Sequence, residues 1–137
     1  MSIARLAVTL LVLSLAALEV NAYLQNVTVK GTVLCNNKRA PNVHVILYER
    51  DMGTIFDPHD KLDRVYTDEE GAFKLYGEEN ELFEIEPFIK IHHTCNAKPG
   101  CEHTSEYVVP KSKIGGTYDM TYVSLQASSD KDEVDCS

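Results

Sequence analysis

The sequence predicts an all-β domain, a sandwich of seven to eight antiparallel strands that carries disulfides. Apolar residues recur at every second position in short runs, with turn residues between the runs. No segment keeps an apolar 3.6-residue period over the length of a helix. The four cysteines are an even number, which favours covalent cross-links. Because each sheet buries only one face, two sheets must cover one another.

The N-terminal segment has the layout of a cleaved secretory signal. Arg5 supplies a positive start, an apolar run covers Leu6–Leu18, and Val20–Ala22 offers small or branched residues to a signal peptidase. The run is shorter than the about 20 apolar residues that a membrane-spanning helix needs. We therefore predict a signal peptide over residues 1–22 and one β-sandwich domain over residues 23–137, secreted and extracellular, with no transmembrane segment.

The charge of the chain bears on its partners. The formal net charge is −8. Removing the signal takes away one cation, Arg5, and one anion, Glu19, so the charge stays at −8. Nucleic acids and anionic membranes repel such a protein at long range. We therefore predict no nucleic-acid partner, and an anionic lipid would need a local cationic patch or a bound cation.

Seven runs have the period-two alternation of half-buried strands. In chain order they cover residues 26–35, 42–49, 62–67, 72–76, 84–95, 105–110 and 117–126. Their inward faces are predicted to carry Val27, Val29, Val33, Val43, Val45, Leu47, Phe73, Leu75, Ile85, Ile89, Ile91, His93, Tyr107, Val109, Val123 and Leu125. The third run is short, and its inward residues are not assigned. Tyrosine and β-branched residues suit such pleated surfaces.

The links between these runs differ in kind. "TDEEGAF" (Thr67–Phe73) predicts a tight hairpin in which Gly71 takes a positive φ. The long link Arg50–Lys61 is of the kind that often binds ligands, or it is a solvated connection. Pro87 predicts a bulge or an edge strand. The polar tail, residues 128–137, is expected to fray unless its cysteine ties it down.

The stretch "IHHTCNAKPGCEH" allows three kinds of chemistry. His93, Cys95, Cys101 and His103 make a Cys₂His₂ set that zinc could use, although the five residues between the cysteines exceed the usual spacing. A thiol nucleophile beside an imidazole is a second possibility. The third, a disulfide, is favoured because secretion places the thiols in an oxidising compartment.

The pairing of the four cysteines has three possible connectivities. Cys95 and Cys101 flank a turn, so we expect these two to pair locally. Cys35 and Cys136 would then form the second bridge and hold the tail near the end of the first strand. Under this prediction the chain has no free thiol and holds no stoichiometric zinc, and no residue is predicted to be catalytic or to bind a metal.

Two further sites are weighed. Asp51, Asp57, Asp60 and Asp63 offer the hard oxygen ligands that calcium prefers, but their spacing is not that of an EF-hand, and acidic loops are usually solvated. "NVT" at Asn26 is a glycosylation sequon near the predicted mature N-terminus. It is either an exposed glycan site or an unused sequon.

Several elements together resemble the transthyretin-like family of secreted nematode proteins. They are the strand "VKGTVLC", the turn "TDEEGAF", the strand "EIEPFIKIHHTC", then "PGCEH" and "YVVP". The resemblance covers residues 27–136. It implies a transthyretin-type sandwich without a covalent cofactor, acting as a binding protein rather than an enzyme. The implied partner is an extracellular protein, such as a cell-surface receptor, or a lipid.

Two alternatives come with this resemblance. One is an oligomeric carrier of a small hydrophobic ligand, with its site between sandwiches. The other is a hydrolase of the related fold, whose hallmark is a C-terminal Tyr-Arg-Gly-Ser tetrapeptide. This chain ends in "EVDCS", which disfavours the hydrolase. The oligomeric state and the binding residues are not indicated by the sequence.

Overall fold

The structure is a computed structural model that describes residues 22–50 and 59–137, and the predicted signal peptide falls almost entirely outside these residues. Short polar turns separate strands with apolar inward faces. The strands are β1 (Tyr23–Cys35), β2 (Lys38–Arg39), β3 (His44–Arg50), β4 (His59–Tyr66), β5 (Ala72–Glu81), β6 (Pro87–His93), β7 (Cys101–Val108), β8 (Thr117–Ser124) and β9 (Lys131–Cys136). A 3₁₀ turn, Lys111–Lys113, precedes β8.

The strands form two sheets, which confirms the predicted all-β fold. In the first sheet, β1 pairs antiparallel with β5 and with the short β2. The second sheet has the order β4-β3-β6-β7-β9 and is antiparallel throughout. One pairing departs from the antiparallel prediction: β8 runs parallel to β1, with a register shift between Lys30 and Thr32.

The predicted inward faces form the core between the sheets. Val27, Val29 and Val33 of β1 are fully buried, as are Leu47 of β3 and Ile91 of β6. Their alternation with polar residues follows from the pleat, which turns successive side chains to opposite faces. Buried apolar residues from both sheets form one cluster.

The predicted hairpin at residues 67–73 is confirmed. Gly71 has a φ of 76°, and a Cβ atom there would lie 2.8 Å from the carbonyl oxygen of Val33. Asp68 closes the turn, because its Oδ1 accepts hydrogen bonds of 2.9 Å from the backbone N–H groups of Glu70 and Ala72. Glycine is therefore required at this turn for both its φ and its lack of a side chain.

The prediction that Pro87 marks a bulge or an edge strand was wrong. Pro87 begins β6, which lies between β3 and β7 in the second sheet and not at an edge. A first residue tolerates proline because its missing N–H is not needed by the ladder. The tail was expected to fray unless its cysteine ties it down, and Cys136 is bonded to Cys101, while residues 131–136 form β9 against β7. Backbone pairing holds this polar strand in place, and polar composition alone could not reveal it.

The predicted cysteine pairing was also wrong. The four cysteines form two disulfides, but these join Cys35 to Cys95 and Cys101 to Cys136. Cys101 lies opposite Cys136 in the β7–β9 register, with their Cα atoms 4.0 Å apart. Cys95 lies beyond the end of β6 and faces the end of β1, so its bridge links the two sheets. The local pairing failed because β9 was not anticipated.

Candidate functional site

A hydrogen-bonded chain of polar side chains occupies the end of the sandwich where β6 finishes and β7 begins. His93 Nε2 lies 3.1 Å from Ser105 Oγ, and Ser105 Oγ donates to Asp132 Oδ1 over 2.8 Å. His103 Nδ1 lies 3.1 Å from the other Asp132 oxygen. The rings of His93 and His103 are stacked, with centroids 5.4 Å apart. β9 therefore completes this network by supplying the aspartate.

The direction of these hydrogen bonds argues against a serine nucleophile. The backbone N–H of Cys95 donates to His93 Nδ1, so the neutral imidazole carries its proton on Nε2. His93 then donates to Ser105, and Ser105 donates to Asp132. A catalytic histidine must instead accept the serine proton. Ser105 is also buried, which leaves it a structural link between β7 and β9.

The ionisation of this network is biased by its surroundings. Burial lowers the pKa of His93, and the adjacent His103 lowers it further. Burial opposes ionisation of Asp132, but the hydrogen bonds from His103 and Ser105 outweigh that effect and hold its pKa below the ordinary value. The network is thus a neutral His93 facing an ionised Asp132.

The Cys₂His₂ set considered for zinc is not assembled at this end. The sulfur atoms of Cys95 and Cys101 are each bonded to another cysteine. A disulfide sulfur is not a thiolate, and zinc binds thiolates. His93 and His103 do come together, because they are partners in the β6–β7 register, and with Asp132 they border an open surface cavity of about 520 Å³.

The opposite end of the sandwich carries exposed apolar side chains at the start of β1 and directly after β5, and we call this group, Tyr23, Leu24, Leu82 and Phe83, the apolar patch. These side chains are 50%, 61%, 49% and 77% exposed. Tyr23 and Leu24 begin β1, whose register places Tyr23 opposite Glu81, and Leu82 and Phe83 directly follow Glu81. Large exposed hydrophobic side chains on neighbouring segments mark interaction surfaces more often than scattered ones do.

A buried glutamine fixes the backbone that presents this patch. The Gln25 side chain donates from Nε2 to the carbonyl oxygen of Phe83 over 2.7 Å. Its Oε1 accepts from the N–H of Ile85 over 2.8 Å. Gln25 is only 4% exposed, and Ile85 is fully buried. The segment is therefore held on both sides of Glu84, while Phe83 stays in solvent.

Carboxylates from both sheets converge beside the patch, and we call Glu49, Asp60 and Glu79 the carboxylate cluster. One oxygen of each lies within 4.8 Å of the other two. Glu49 is 0% exposed, and neither of its oxygens has a hydrogen-bonding donor among the described residues. Burial raises the pKa of Glu49 to about 9, helped by the nearby carboxylate of Glu81. Glu81 thus links this cluster to the patch.

Two cations near this end are already engaged by carboxylates. Arg50 pairs with Glu106 at 2.9 Å and lies over the ring of Phe88, 4.3 Å from its centroid. Lys111 lies 3.9 Å from Glu84 and 3.6 Å from Glu86. Glutamates consequently set the charge at the border of the apolar patch.

Of the four aspartates weighed for calcium, the structure describes Asp60 and Asp63. Asp51 and Asp57 lie outside the described residues. Asp63 has a structural role, because its two carboxylate oxygens accept hydrogen bonds from the backbone N–H groups of Arg64 and Tyr76. Asp60 belongs to the carboxylate cluster instead, with partners from β3 and β5 that the sequence reasoning had not considered.

Sequence reasoning missed the two most informative polar residues of this end. Glu49 has the parity of Val45 and Leu47, so it was predictable as a carboxylate on an inward face. Gln25 has the parity of Val27 and is likewise buried, but the first strand was predicted to begin one residue later. Asn26 is half-buried within β1, and its carbonyl oxygen accepts from Gly115 N–H over 2.6 Å.

Comparison with known proteins places this fold among its relatives. A family model described as "Transthyretin-like family" matches residues 30–110. Transthyretin-like protein 16 of Caenorhabditis elegans is 55% identical over 86% of this chain and 88% of its own length. Transthyretin-like protein 46 of the same species is 38% identical over 90% of this chain and 74% of its own. In the described part of the chain, no helix is long and apolar enough to cross a membrane.

Proposed function

We propose that this chain, which belongs to the transthyretin-like family, is a secreted recognition protein that binds an extracellular partner through its apolar patch. The observation that carries the proposal is Phe83, 77% exposed on a segment fixed by Gln25. An exposed phenylalanine on an ordered backbone loses little conformational freedom on binding, so more of the burial energy remains as affinity.

The border of the patch favours one class of partner. Glu81 and Glu84 lie on either side of Leu82 and Phe83 in the chain, and Lys111 is occupied by Glu84 and Glu86. An apolar centre with a charged rim is the usual anatomy of a protein interface. A protein partner, such as a cell-surface receptor, would therefore match this surface with an apolar pocket and a basic border.

An anionic lipid surface is the second candidate, and the carboxylate cluster is the observation that favours it. By themselves the glutamates would repel anionic head groups. A cation held beside the patch would reverse the local charge and allow Phe83 and Leu24 to enter the interface. A carrier of small hydrophobic ligands would need a site between copies of the chain. A strictly monomeric protein in sedimentation analysis would contradict that alternative.

The experiment compares purified mature protein with two variants. Phe83→Ala removes the most exposed side chain of the patch, and Tyr122→Ala, at a position 63% exposed on β8, is the matched control. Crosslinking on intact cells, followed by identification of the captured surface proteins, tests the receptor. Flotation with vesicles of phosphatidylcholine, with and without phosphatidylserine and calcium, tests the lipid.

The outcomes separate the candidates. Saturable capture of a surface protein that falls at least tenfold in Phe83→Ala, and not in Tyr122→Ala, supports the protein partner. Flotation that requires both phosphatidylserine and calcium supports the lipid. Equal capture by all three proteins, with no flotation under any condition, would refute recognition by this patch.

Secretion and glycosylation belong to the same proposal. Residues 1–22 direct export, and Asn26 carries a glycan in the exported protein. Expression of the full-length chain in eukaryotic cells tests both points. We expect the protein in the medium, beginning at residue 23, with a mass that falls on treatment with peptide N-glycosidase. Unchanged mass after that treatment would show that the sequon is unused.

A further inference from the structure

Glu49 differs from the other buried polar residues of the second sheet. Ser105, another buried polar residue of this sheet, is hydrogen-bonded to both His93 and Asp132. Glu49 is fully buried, yet both of its carboxylate oxygens lack a donor among the described residues. A buried carboxylate with no donor is costly, and buried charges in proteins are paired or coordinate a metal. Something must therefore neutralise this group.

The strand pairing explains why other carboxylates surround Glu49. Asp60 of β4 is the register partner of Glu49 on β3. Glu79 of β5 comes from the other sheet, where it lies opposite Gln25. The three contributing strands are held by the two sheets and not by a flexible loop. The oxygens therefore converge on a rigid framework, which favours a defined site over a solvated acidic surface.

The spacing of the oxygens suits one class of ligand. One oxygen from each of the three side chains lies within 4.8 Å of the others. Calcium–oxygen bonds are about 2.4 Å long, so ligand atoms of one ion can be up to about 4.8 Å apart. Magnesium prefers shorter bonds, a stricter octahedral geometry and retained water. Three carboxylates within this distance can therefore bind one calcium ion, whose flexible coordination suits them better than the strict octahedron of magnesium does.

We propose that Glu49, Asp60 and Glu79 bind one calcium ion at the end of the sandwich that carries the apolar patch. Each residue supplies carboxylate oxygens, and water completes the coordination. This proposal does not depend on whether the apolar patch binds a protein or a lipid, because the residues of this chain alone coordinate the ion. It also differs from the aspartate set considered from the sequence, since two of its three ligands are glutamates on β3 and β5.

Isothermal titration of the metal-stripped mature protein with calcium chloride tests the proposal, with neither membrane nor partner present. We expect one site with a Kd on the order of 10⁻⁴ M, the range of extracellular calcium modules. Glu49→Gln keeps the shape and removes the charge, and Asp60→Asn removes a second ligand. Each variant should weaken calcium binding at least tenfold.

The control variant is Glu69→Gln, which removes one exposed carboxylate from the distant hairpin at residues 67–73. It should bind calcium like the unsubstituted protein. Circular dichroism confirms that each variant is folded before it is titrated. No calcium binding by the folded protein at millimolar concentration would overturn the proposal. Unchanged binding in both Glu49→Gln and Asp60→Asn would also overturn it.

Discussion

Replacing Glu49 by glutamine perturbs the one fully buried carboxyl group of the described core while preserving its shape. In the absence of calcium, burial and the neighbouring Glu81, Asp60 and Glu79 raise the pKa of Glu49 to about 9 from an ordinary value of 4.5. The folded protein then holds a proton on this group that the unfolded chain releases. At any pH between 4.5 and about 9, the protein must therefore take up a proton when it folds.

The size of the effect follows from the same interval. Because the folded pKa is raised, the stability that the proton supports is fully present below pH 4.5 and is lost as the pH rises toward 9. From the ordinary value to pH 7 this loss corresponds to roughly 3 kcal/mol, at about 1.4 kcal/mol for each pH unit. Relaxation and water penetration reduce it, so we expect glutamine to stabilise the protein by about 1–3 kcal/mol at neutral pH.

Denaturation by guanidinium chloride in the presence of a chelator measures this change. The stability of the unsubstituted protein should fall from about pH 5 to about pH 8, whereas the Glu49→Gln profile should be flatter over that range. Adding calcium should stabilise the unsubstituted protein and leave the variant unchanged. Parallel pH profiles, with the variant less stable at every pH, would refute the reasoning, because Glu49 would then be ionised in the folded protein.

Three further predictions concern the opposite end of the sandwich. Peptide mapping without reduction should recover Cys35 linked to Cys95 and Cys101 linked to Cys136, and a Cys95–Cys101 peptide would contradict the structure. Replacing both Cys101 and Cys136 by serine should cost about 4 kcal/mol in the chain-entropy estimate for a loop of 35 residues, measured by denaturant unfolding. Asp132→Asn should cost about 1–3 kcal/mol, because the amide cannot accept from Ser105 and His103 as the carboxylate does. Equal melting temperatures of this variant and the unsubstituted protein would exclude a structural role for that network.

The apolar strands were predictable from the sequence because the alternation of apolar and polar residues indicates which face of a strand is buried. Val27, Val29 and Val33 identify the inward face of β1 without knowledge of its partners. This alternation does not indicate which strands pair with one another. β9 consists of exposed residues, and only its ladder with β7 shows that it is a strand. Since Cys136 lies on that strand, the cysteine pairing could not be predicted correctly without it.

The candidate site was less predictable because its residues meet only after folding. Glu49, Asp60 and Glu79 lie on three strands of two sheets, and no sequence spacing joins them. Asp60 was considered from the sequence, but with aspartates of its own link. One signal was available: Glu49 continues the inward parity of Val45 and Leu47. A charged residue on a predicted buried face indicates a compensating partner, and the fold supplies the other carboxylates.

The two ends of the sandwich should respond to pH in opposite directions. Burial and the adjacent His103 lower the pKa of His93 below 6.5, while the carboxylates of Asp132 and Glu102 act against that shift. The stability that depends on neutral His93 is therefore lost as the pH falls below 6.5, whereas the stability that depends on protonated Glu49 is lost as the pH rises above 4.5. Above pH 6.5 the His93 effect adds no slope, so without calcium the stability of the unsubstituted protein should fall between pH 6.5 and pH 9. In Glu49→Gln that fall should be absent. Melting curves recorded across this range would show the difference, and an equal fall in both proteins would mean that Glu49 does not govern the alkaline side.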